Sequence, residues 1–208
     1  MIKFKKLGLN DDILSMIKIQ GITEPTPVQE RSIPLIKKGC DIIAEAQTGT
    51  GKTLAFLLPM FDNMSEDIDT IQGLIVTPTR ELAIQITEEA KKIDGIKKLN
   101  ILAAYGGKDI GAQLKKLKGN IHLVIATPGR LLDHLRRGTI KLDKLKTIVL
   151  DEADQMLLMG FKNDIENILE TTPKNRQTLC FSATMSSDVK KMAYKYMNDP
   201  IEVIIKKE

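Results

Sequence analysis

The chain has 208 residues, 42% of them hydrophobic, which suffices for the core of one large α/β domain; no run approaches the roughly 18 uninterrupted apolar residues of a membrane-crossing helix. A formal net charge of +4 permits a polyanionic partner without demanding one. With no Trp, three Tyr and five Phe there is little material for a platform on which bases stack, so a nucleic-acid partner would be gripped by its backbone. The start, Met1-Ile-Lys-Phe-Lys-Lys, lacks an apolar signal core, and a soluble, cytoplasmic protein is expected. Cys40 and Cys180 sit in or beside apolar strand-like runs with no Cys/His cluster, which points to buried, reduced thiols rather than a disulfide or a metal site.

Residues 1–20 read as an extended entry containing Phe4, followed by a helix from about Asp11, capped by Asn10, with Ile13, Leu14, Met16 and Ile17 on one face. A turn then leads into a second helix over 26–37, where Pro27 suits an early helical position and Gly39 ends the element. From there short apolar strands alternate with longer amphipathic helices. Strands are predicted near 41–46, 73–77, 100–104, 122–126, 147–151, 177–182 and 202–205. Helices are predicted near 52–62, 79–93, 109–117, 129–137, 160–170 and 186–197. Leu74-Ile-Val-Thr, Leu123-Val-Ile-Ala and Ile148-Val-Leu are continuous apolar runs, as expected of a parallel sheet covered on both faces. The predicted fold is a single α/β domain over 1–208, an open, mostly parallel sheet with helices on both faces. Only residues 63–72 have the composition of a disordered loop.

Right-handed crossovers bring the loops that follow the strands to one edge of such a sheet, where ligands bind in the crevices. The unusual residues fall there. Ala46-Gln47-Thr48-Gly49-Thr50-Gly51-Lys52-Thr53 leads from an apolar strand into an apolar helix. Backbone N–H groups converge on an anion only where side chains leave room, which suits Gly49 and Gly51, and the N-terminal end of the next helix adds its dipole. Lys52 is placed to reach the β- and γ-phosphates of a nucleotide, and Thr53 to offer a hydroxyl to Mg²⁺. Ala46 stands where the general pattern has its first glycine, which a negative φ tolerates. The alternative is an ordinary Gly/Thr-rich turn.

An acidic residue ending an apolar strand is the expected partner of a phosphate loop. Asp151 would hold Mg²⁺ through its water shell, Glu152 would orient or deprotonate the attacking water, and Asp154 would join a charge network. On the same edge lie Pro78-Thr79-Arg80, Gly106-Gly107 and Thr127-Pro128-Gly129-Arg130. Helix N-termini that offer N–H groups, a hydroxyl and a guanidinium suit nucleic-acid phosphates, although Thr77 to Glu81 is equally ordinary capping chemistry. Together the three form a track.

Phe4, Gly21-x-x-x-Pro25-Thr26-x-Val28-Gln29, the run from Ala46 to Thr53, Pro78-Thr-Arg-Glu-Leu82, Gly106-Gly107, Thr127-Pro-Gly-Arg130, Asp151-Glu-Ala-Asp154 and Ser182-Ala-Thr184 resemble, in order and spacing, the motifs of the DEAD-box RNA helicases. The resemblance covers nearly the whole chain, and that family carries Ala at the position of Ala46. It implies a RecA-like P-loop domain in which the strand ending at Phe181 lies between those ending at Ala46 and Leu150. It implies ATP with Mg²⁺ as cofactor. In the Q-motif region, 1–38, the Gln29 amide would read the adenine edge, Phe4 would pack nearby, and Lys18 stands where some relatives lay an aromatic over the base.

By the same resemblance Thr26 would support the phosphate loop, while Ser182 and Thr184 would couple nucleotide to strand separation by bonding the 151–154 segment. RNA would be bound without regard to sequence, through phosphates and 2′-hydroxyls. The family has a second RecA-like domain, which supplies arginine fingers and the other half of the RNA track, and this chain stops at Ile205-Lys-Lys-Glu208. A monomeric first domain with weak or absent hydrolysis of its own is expected, since an arginine finger is worth about 10³–10⁵ in rate.

Overall fold

Apolar runs of four to six residues, too short to bury themselves as helices, pair side by side into one sheet. In the computed structural model, which describes residues 3–95, 97–115 and 120–206, these are β1 (Ile42–Glu45), β2 (Gly73–Val76), β3 (Ile101–Ala104), β4 (Leu123–Ala126), β5 (Thr147–Leu150), β6 (Gln177–Ser182) and β7 (Ile201–Ile204). Their order is β3-β4-β2-β5-β6-β1-β7, and every pairing is parallel. β6 therefore lies between β1 and β5, as the resemblance implied.

The register explains the unbroken apolar runs. Val76, Leu150, Cys180 and Ile43 form one row across the four central strands, and their side chains join the core layer on one face. One residue earlier, Ile75, Val149, Leu179 and Ile42 form the next row and point to the opposite layer, as a period of two requires. The second layer is closed by α1 (Asp11–Ile19), α2 (Pro27–Lys37), α3 (Lys52–Asn63) and α4 (Arg80–Ile93). There Phe56 of α3 packs on Phe181 of β6 with ring centroids 5.3 Å apart. The first layer is closed by α6 (Pro128–Arg137), α7 (Ala153–Leu158), α8 (Lys162–Glu170) and α9 (Ser187–Tyr196), while α5 (Ile110–Lys115) lies beside β3.

Four expectations need correction. The entry is not extended throughout: Phe4–Lys6 form a 3-10 turn that buries Phe4 in the core. Asn10 precedes α1, yet its side chain makes no capping bond; its N–H donates instead to Asp62 Oδ2 at 3.1 Å. The segment after β5 is no plain loop, because α7 starts at Ala153 and a left-handed Gly160 (φ +83°) separates it from α8, whereas one helix over 160–170 was expected. Ala153 and Met156 carry the helical spacing, but the acidic residues around them mask it. Cys40 is only partly buried, in contrast to Cys180, and both are free thiols.

Residues 63–72 are held more firmly than their composition suggests. The buried Gln72 amide accepts from Ser65 N–H and donates to the carbonyls of Ser65 and Ile68. Of the helix predicted over 109–117, the structure shows 110–115, and residues 116 and 117 lie outside the described part.

Candidate nucleotide and nucleic-acid site

β1 ends between β6 and the edge strand β7, so the loop after it opens at the carboxyl edge of the sheet beside the end of β6. Gly49 and Gly51 adopt φ of +82° and +85°, the left-handed region, whereas Ala46 is not among the residues of positive φ. Gly51 has no alternative: a Cβ there would lie 2.5 Å from Gln29 Nε2 and 2.8 Å from Thr26 Oγ1. The loop folds on itself through Thr50 Oγ1, which donates to the Gln47 carbonyl at 2.5 Å, while Thr48 and Gly49 stay exposed. Gly51 is also the cap residue of α3, a position that provides no side-chain acceptor for the first N–H groups of that helix. Lys52 and Thr53 occupy its first turn.

Lys52 is buried, with Nζ paired to Glu152 Oε1 and 3.8 Å from Asp151 Oδ1. Asp151 follows β5, and its N–H donates to the Val76 carbonyl at 2.9 Å, which fixes the backbone at the strand end. Burial pushes its carboxyl up to about 6 against the opposing attraction of Lys52. Its Oδ1 is buried and accepts no hydrogen bond. Glu152 turns the chain out of the strand with φ +53°, a conformation unusual for a residue with a side chain, and this directs its carboxylate at Lys52.

Gln29 spans the start of α2 and the phosphate loop. Its amide oxygen accepts from Thr26 N–H at 3.0 Å and its Nε2 donates to the Gly51 carbonyl at 2.9 Å. One amide proton and one lone pair remain for a ligand. Phe4 is buried and Lys18 is exposed in the last turn of α1; among the described residues no hydrogen bond or ion pair ties either side chain to the loop.

Ser182-Ala183-Thr184 bridges the loop and the acidic segment. The Ser182 carbonyl accepts from Ala46 N–H at 2.9 Å, and the Ala183 carbonyl from Gln47 Nε2 at 3.2 Å. Ser182 Oγ accepts from Asp154 N–H at 3.2 Å and donates to the Thr184 carbonyl at 2.7 Å; Thr184 Oγ1 donates to Asp154 Oδ2 at 3.0 Å. Each hydroxyl thus touches the 151–154 segment.

Farther along the edge, Pro78, Arg80, Gly106, Thr127, Gly129 and Arg130 line one open groove of about 500 Å³. Thr79 flanks it as the cap of α4, its oxygen accepting from Leu82 N–H at 3.2 Å, so the capping reading holds for this hydroxyl. Thr127 caps α6 in position only, with no side-chain capping bond. Pro128 is buried behind it, and Gly107 (φ +89°) passes beside the Arg80 guanidinium.

Residues 26–192 match the DEAD/DEAH box helicase family. The chain belongs to that family. It is 50% identical to the ATP-dependent RNA helicase CshA of Limosilactobacillus reuteri over 98% of its own length and 41% of the relative's. For the CshA of Listeria monocytogenes the figures are 49%, 99% and 40%, and for the DEAD-box ATP-dependent RNA helicase CshA of Geobacillus kaustophilus 47%, 99% and 44%. The chain therefore spans less than half the length of the curated relatives it matches. A solved structure, a DEAD box protein from the hyperthermophile Methanococcus jannaschii, superposes with a TM-score of 0.94 at 43% identity, over 99% of this chain and 56% of that one. The fold is the RecA-like domain of DEAD-box proteins.

In this DEAD-box chain the groove also takes in Asp133, Arg136 and Phe161, which sequence reasoning did not select. Asp133 and Arg136 come from α6 and Phe161 from the turn before α8, and nothing in their local sequence marks them as groove residues. Tyr105, which opens the Tyr105-Gly106-Gly107 run on the rim, carries no role in the sequence reading; its ring lies 5.8 Å from the Arg80 guanidinium carbon and 5.6 Å from Lys108 Nζ.

Proposed function

We propose that this chain is the N-terminal ATP- and RNA-binding domain of an ATP-dependent DEAD-box RNA helicase. In this reading it couples ATP binding and hydrolysis to sequence-independent contact with the RNA backbone and to local duplex separation. A second RecA-like domain is needed for full activity. The observation that carries the reading is Lys52, a buried cation held between Glu152 and Asp151 in the first turn of a helix with no side-chain cap.

The residues present fit an ATP–Mg²⁺ complex. Asp151 offers a buried oxygen without a hydrogen-bond partner, Lys52 a cation, and the α3 N-terminus its N–H groups. Thr53 and Asp151 would hold the metal, and Mg²⁺ bound there would neutralise charge developing on the β- and γ-phosphate oxygens. Gln47 to Thr53 cradle the phosphates, and Lys52 leaves Glu152 to pair with them. Glu152, freed by that exchange, orients the attacking water and accepts its proton. Gln29 keeps one donor and one acceptor for the adenine edge, which favours adenine over guanine, and Thr26 packs against Gly51 to support the loop.

The Ser182 and Thr184 hydroxyls carry a change at the phosphates to the acidic segment through Asp154. On the rim, Arg80, Thr127 and Arg130 hold backbone phosphates, and the glycines let the strand approach closely. The domain is read as a monomer of the cytoplasm with RNA as its partner.

Calorimetric titration of the 208-residue chain with ADP and with GDP in Mg²⁺ tests the nucleotide half. ADP-selective binding is expected. Equal binding of both would remove Gln29 as an adenine reader, and no binding of either would remove the nucleotide site. RNA-stimulated ATP hydrolysis after fusion to a second RecA-like helicase domain tests the whole, and stimulation by DNA or protein instead would overturn the RNA reading.

A further inference from the structure

Tyr105 follows β3 directly and is buried, 6% exposed, yet its ring faces two cations from different elements. Arg80, the first residue of α4, lies with its guanidinium carbon 5.8 Å from the ring centroid, and Lys108 Nζ lies 5.6 Å from it. The loop that carries Lys108 is fixed from a third side, because Arg130 Nη1 donates to the Lys108 carbonyl at 2.6 Å. Gly107 lets this loop lie against Arg80: a Cβ at Gly107 would sit 2.8 Å from Arg80 Nη1, and φ is +89°. Three cationic residues, from the start of α4, the loop after β3 and the first turn of α6, thus converge on one ring and one carbonyl.

Among the described residues none of the three forms an ion pair with a carboxylate; the pairs that exist involve Lys37, Lys52, Arg137, Lys190 and Lys195. Asp109, next to Lys108 in sequence, uses its carboxylate to accept from Ala112 N–H at the start of α5. The ring's negative face offsets part of the repulsion between the cations, and an anion bound among them would offset the rest. Tyr105 and Lys108 also stand at a junction. Arg80 and Arg130 line the groove of about 500 Å³ on the rim, while Tyr105 and Lys108 line a neighbouring groove of about 600 Å³ between α4 and α5, over the β3 edge. A strand held by Arg80 and Arg130 meets the Lys108 ammonium as it passes from one groove to the other.

We propose that Lys108 is a further RNA phosphate-contacting residue of this domain and that Tyr105 is the positioning residue that holds Lys108 and Arg80 beside one another on the rim. The inference rests on the reading of the rim as an RNA site. It extends the track by one phosphate toward the groove between α4 and α5. Lys108 is exposed and lies outside the glycine pair that marks this loop in sequence, so its role comes from the shared ring and not from a motif.

The test is binding of a fluorescently labelled oligouridylate to the 208-residue chain, followed by anisotropy from 20 to 200 mM KCl. Lys108→Gln is expected to weaken binding about three- to tenfold at low salt and to reduce the slope of log K against log salt by about 0.7, the value of one phosphate contact on a single strand. Tyr105→Phe should bind like the parent, and Tyr105→Leu should lose at least as much as Lys108→Gln. Arg130→Gln serves as the control for the rim itself. If Arg130→Gln weakens binding while Lys108→Gln leaves affinity and slope unchanged, the inference is overturned and the RNA reading stands. If neither change matters, or the chain binds no RNA at any salt, the reading of the rim falls and the inference with it. Lys108→Gln, at an exposed position, keeps the test decisive should Tyr105→Leu fail to fold.

Discussion

Lys52, at the end of the phosphate loop, is ion-paired to Glu152 after β5, with Asp151 Oδ1 3.8 Å from the same ammonium. The cation assigned to the phosphates is thus held by the carboxylate assigned to the water, and each must release the other before either can act. Glu152→Gln should therefore leave ADP affinity unchanged or raise it by up to about threefold, because a neutral amide competes less well for Lys52. In a two-domain enzyme the same change should cut turnover by about 10²–10⁴, the worth of a positioned general base. Lys52→Ala should weaken ADP binding about 10- to 100-fold, as expected when a charged hydrogen-bond donor is removed. Calorimetry separates the two, and a loss of ADP affinity in Glu152→Gln would make Glu152 a structural support rather than a competitor.

The acidic pair gives the fold a pH signature. With Asp151 pushed up to about 6 by burial, the folded chain holds this proton more tightly than the unfolded one, whose aspartates titrate near 3.9. Stability from this group is therefore lost as pH rises from about 4 to about 6, and above that the ionised carboxylate is a standing cost. In metal-free buffer with EDTA, Asp151→Asn should raise stability at pH 7.5 by about 1–2 kcal/mol, or about 2–8 °C in Tm, and by less than half of that at pH 4.5. Scanning calorimetry at the two pH values is the check. Equal gains at both would assign the effect to packing and not to ionisation.

Most of the fold was legible because it depends on local pattern. Seven apolar runs, all but the last followed by a polar motif, are enough to specify a covered parallel sheet, and Val76, Leu150, Cys180 and Ile43 fall into one row as that pattern demands. What was not legible depends on contacts between distant segments. Gln72 looks like one more polar loop residue until its amide is seen closing three bonds to Ser65 and Ile68. The helix α7 is hidden by the acidic residues at its start. Lys108 and Tyr105 gain meaning only where Arg80 and Arg130, from elements 28 and 22 residues away from Lys108, meet them. The phosphate loop and the acidic motif announce themselves because backbone geometry and charge act within a few residues; the groove beyond them does not.

Gly51 is the residue on which the nucleotide loop closes over the start of α2. Its φ of +85° and the space already taken by Gln29 Nε2 and Thr26 Oγ1 exclude any side chain without displacement. Gly51→Ala should destabilise the chain by about 1–3 kcal/mol, from left-handed strain plus the forced movement of Gln29. It should also erase the preference for ADP over GDP, since the shifted amide no longer keeps its free donor and acceptor in place. Gly49→Ala meets open space and carries the strain of φ +82° alone, so it should cost less stability and keep the adenine preference. A Gly51→Ala chain that still chooses ADP would disconnect Gln29 from base selection.

The helix that begins at Lys52 is secured at its other end by two cations: Lys37 pairs with the Asp62 carboxylate and bonds the Asn63 side chain, and Lys97 takes the backbone. Lys97 Nζ donates to the carbonyls of Phe61, Asp62 and Met64 at 2.7, 2.8 and 2.9 Å, which are groups a helix leaves unpaired at its C-terminus. Its charge also lies at the negative end of the α3 dipole, and the desolvation that pulls its pKa down is offset in part by Asp62. Lys97→Met keeps the apolar stem and removes all three bonds, so it should cost about 1–3 kcal/mol, a Tm fall of about 2–12 °C. Lys97→Arg should recover only part of that, because a planar guanidinium cannot converge on three carbonyls as an ammonium does. ADP affinity at a temperature where the variant is folded should be unchanged, since the phosphate loop lies three helical turns away. A drop in ADP affinity without a drop in Tm would show that the two ends of α3 communicate through the helix.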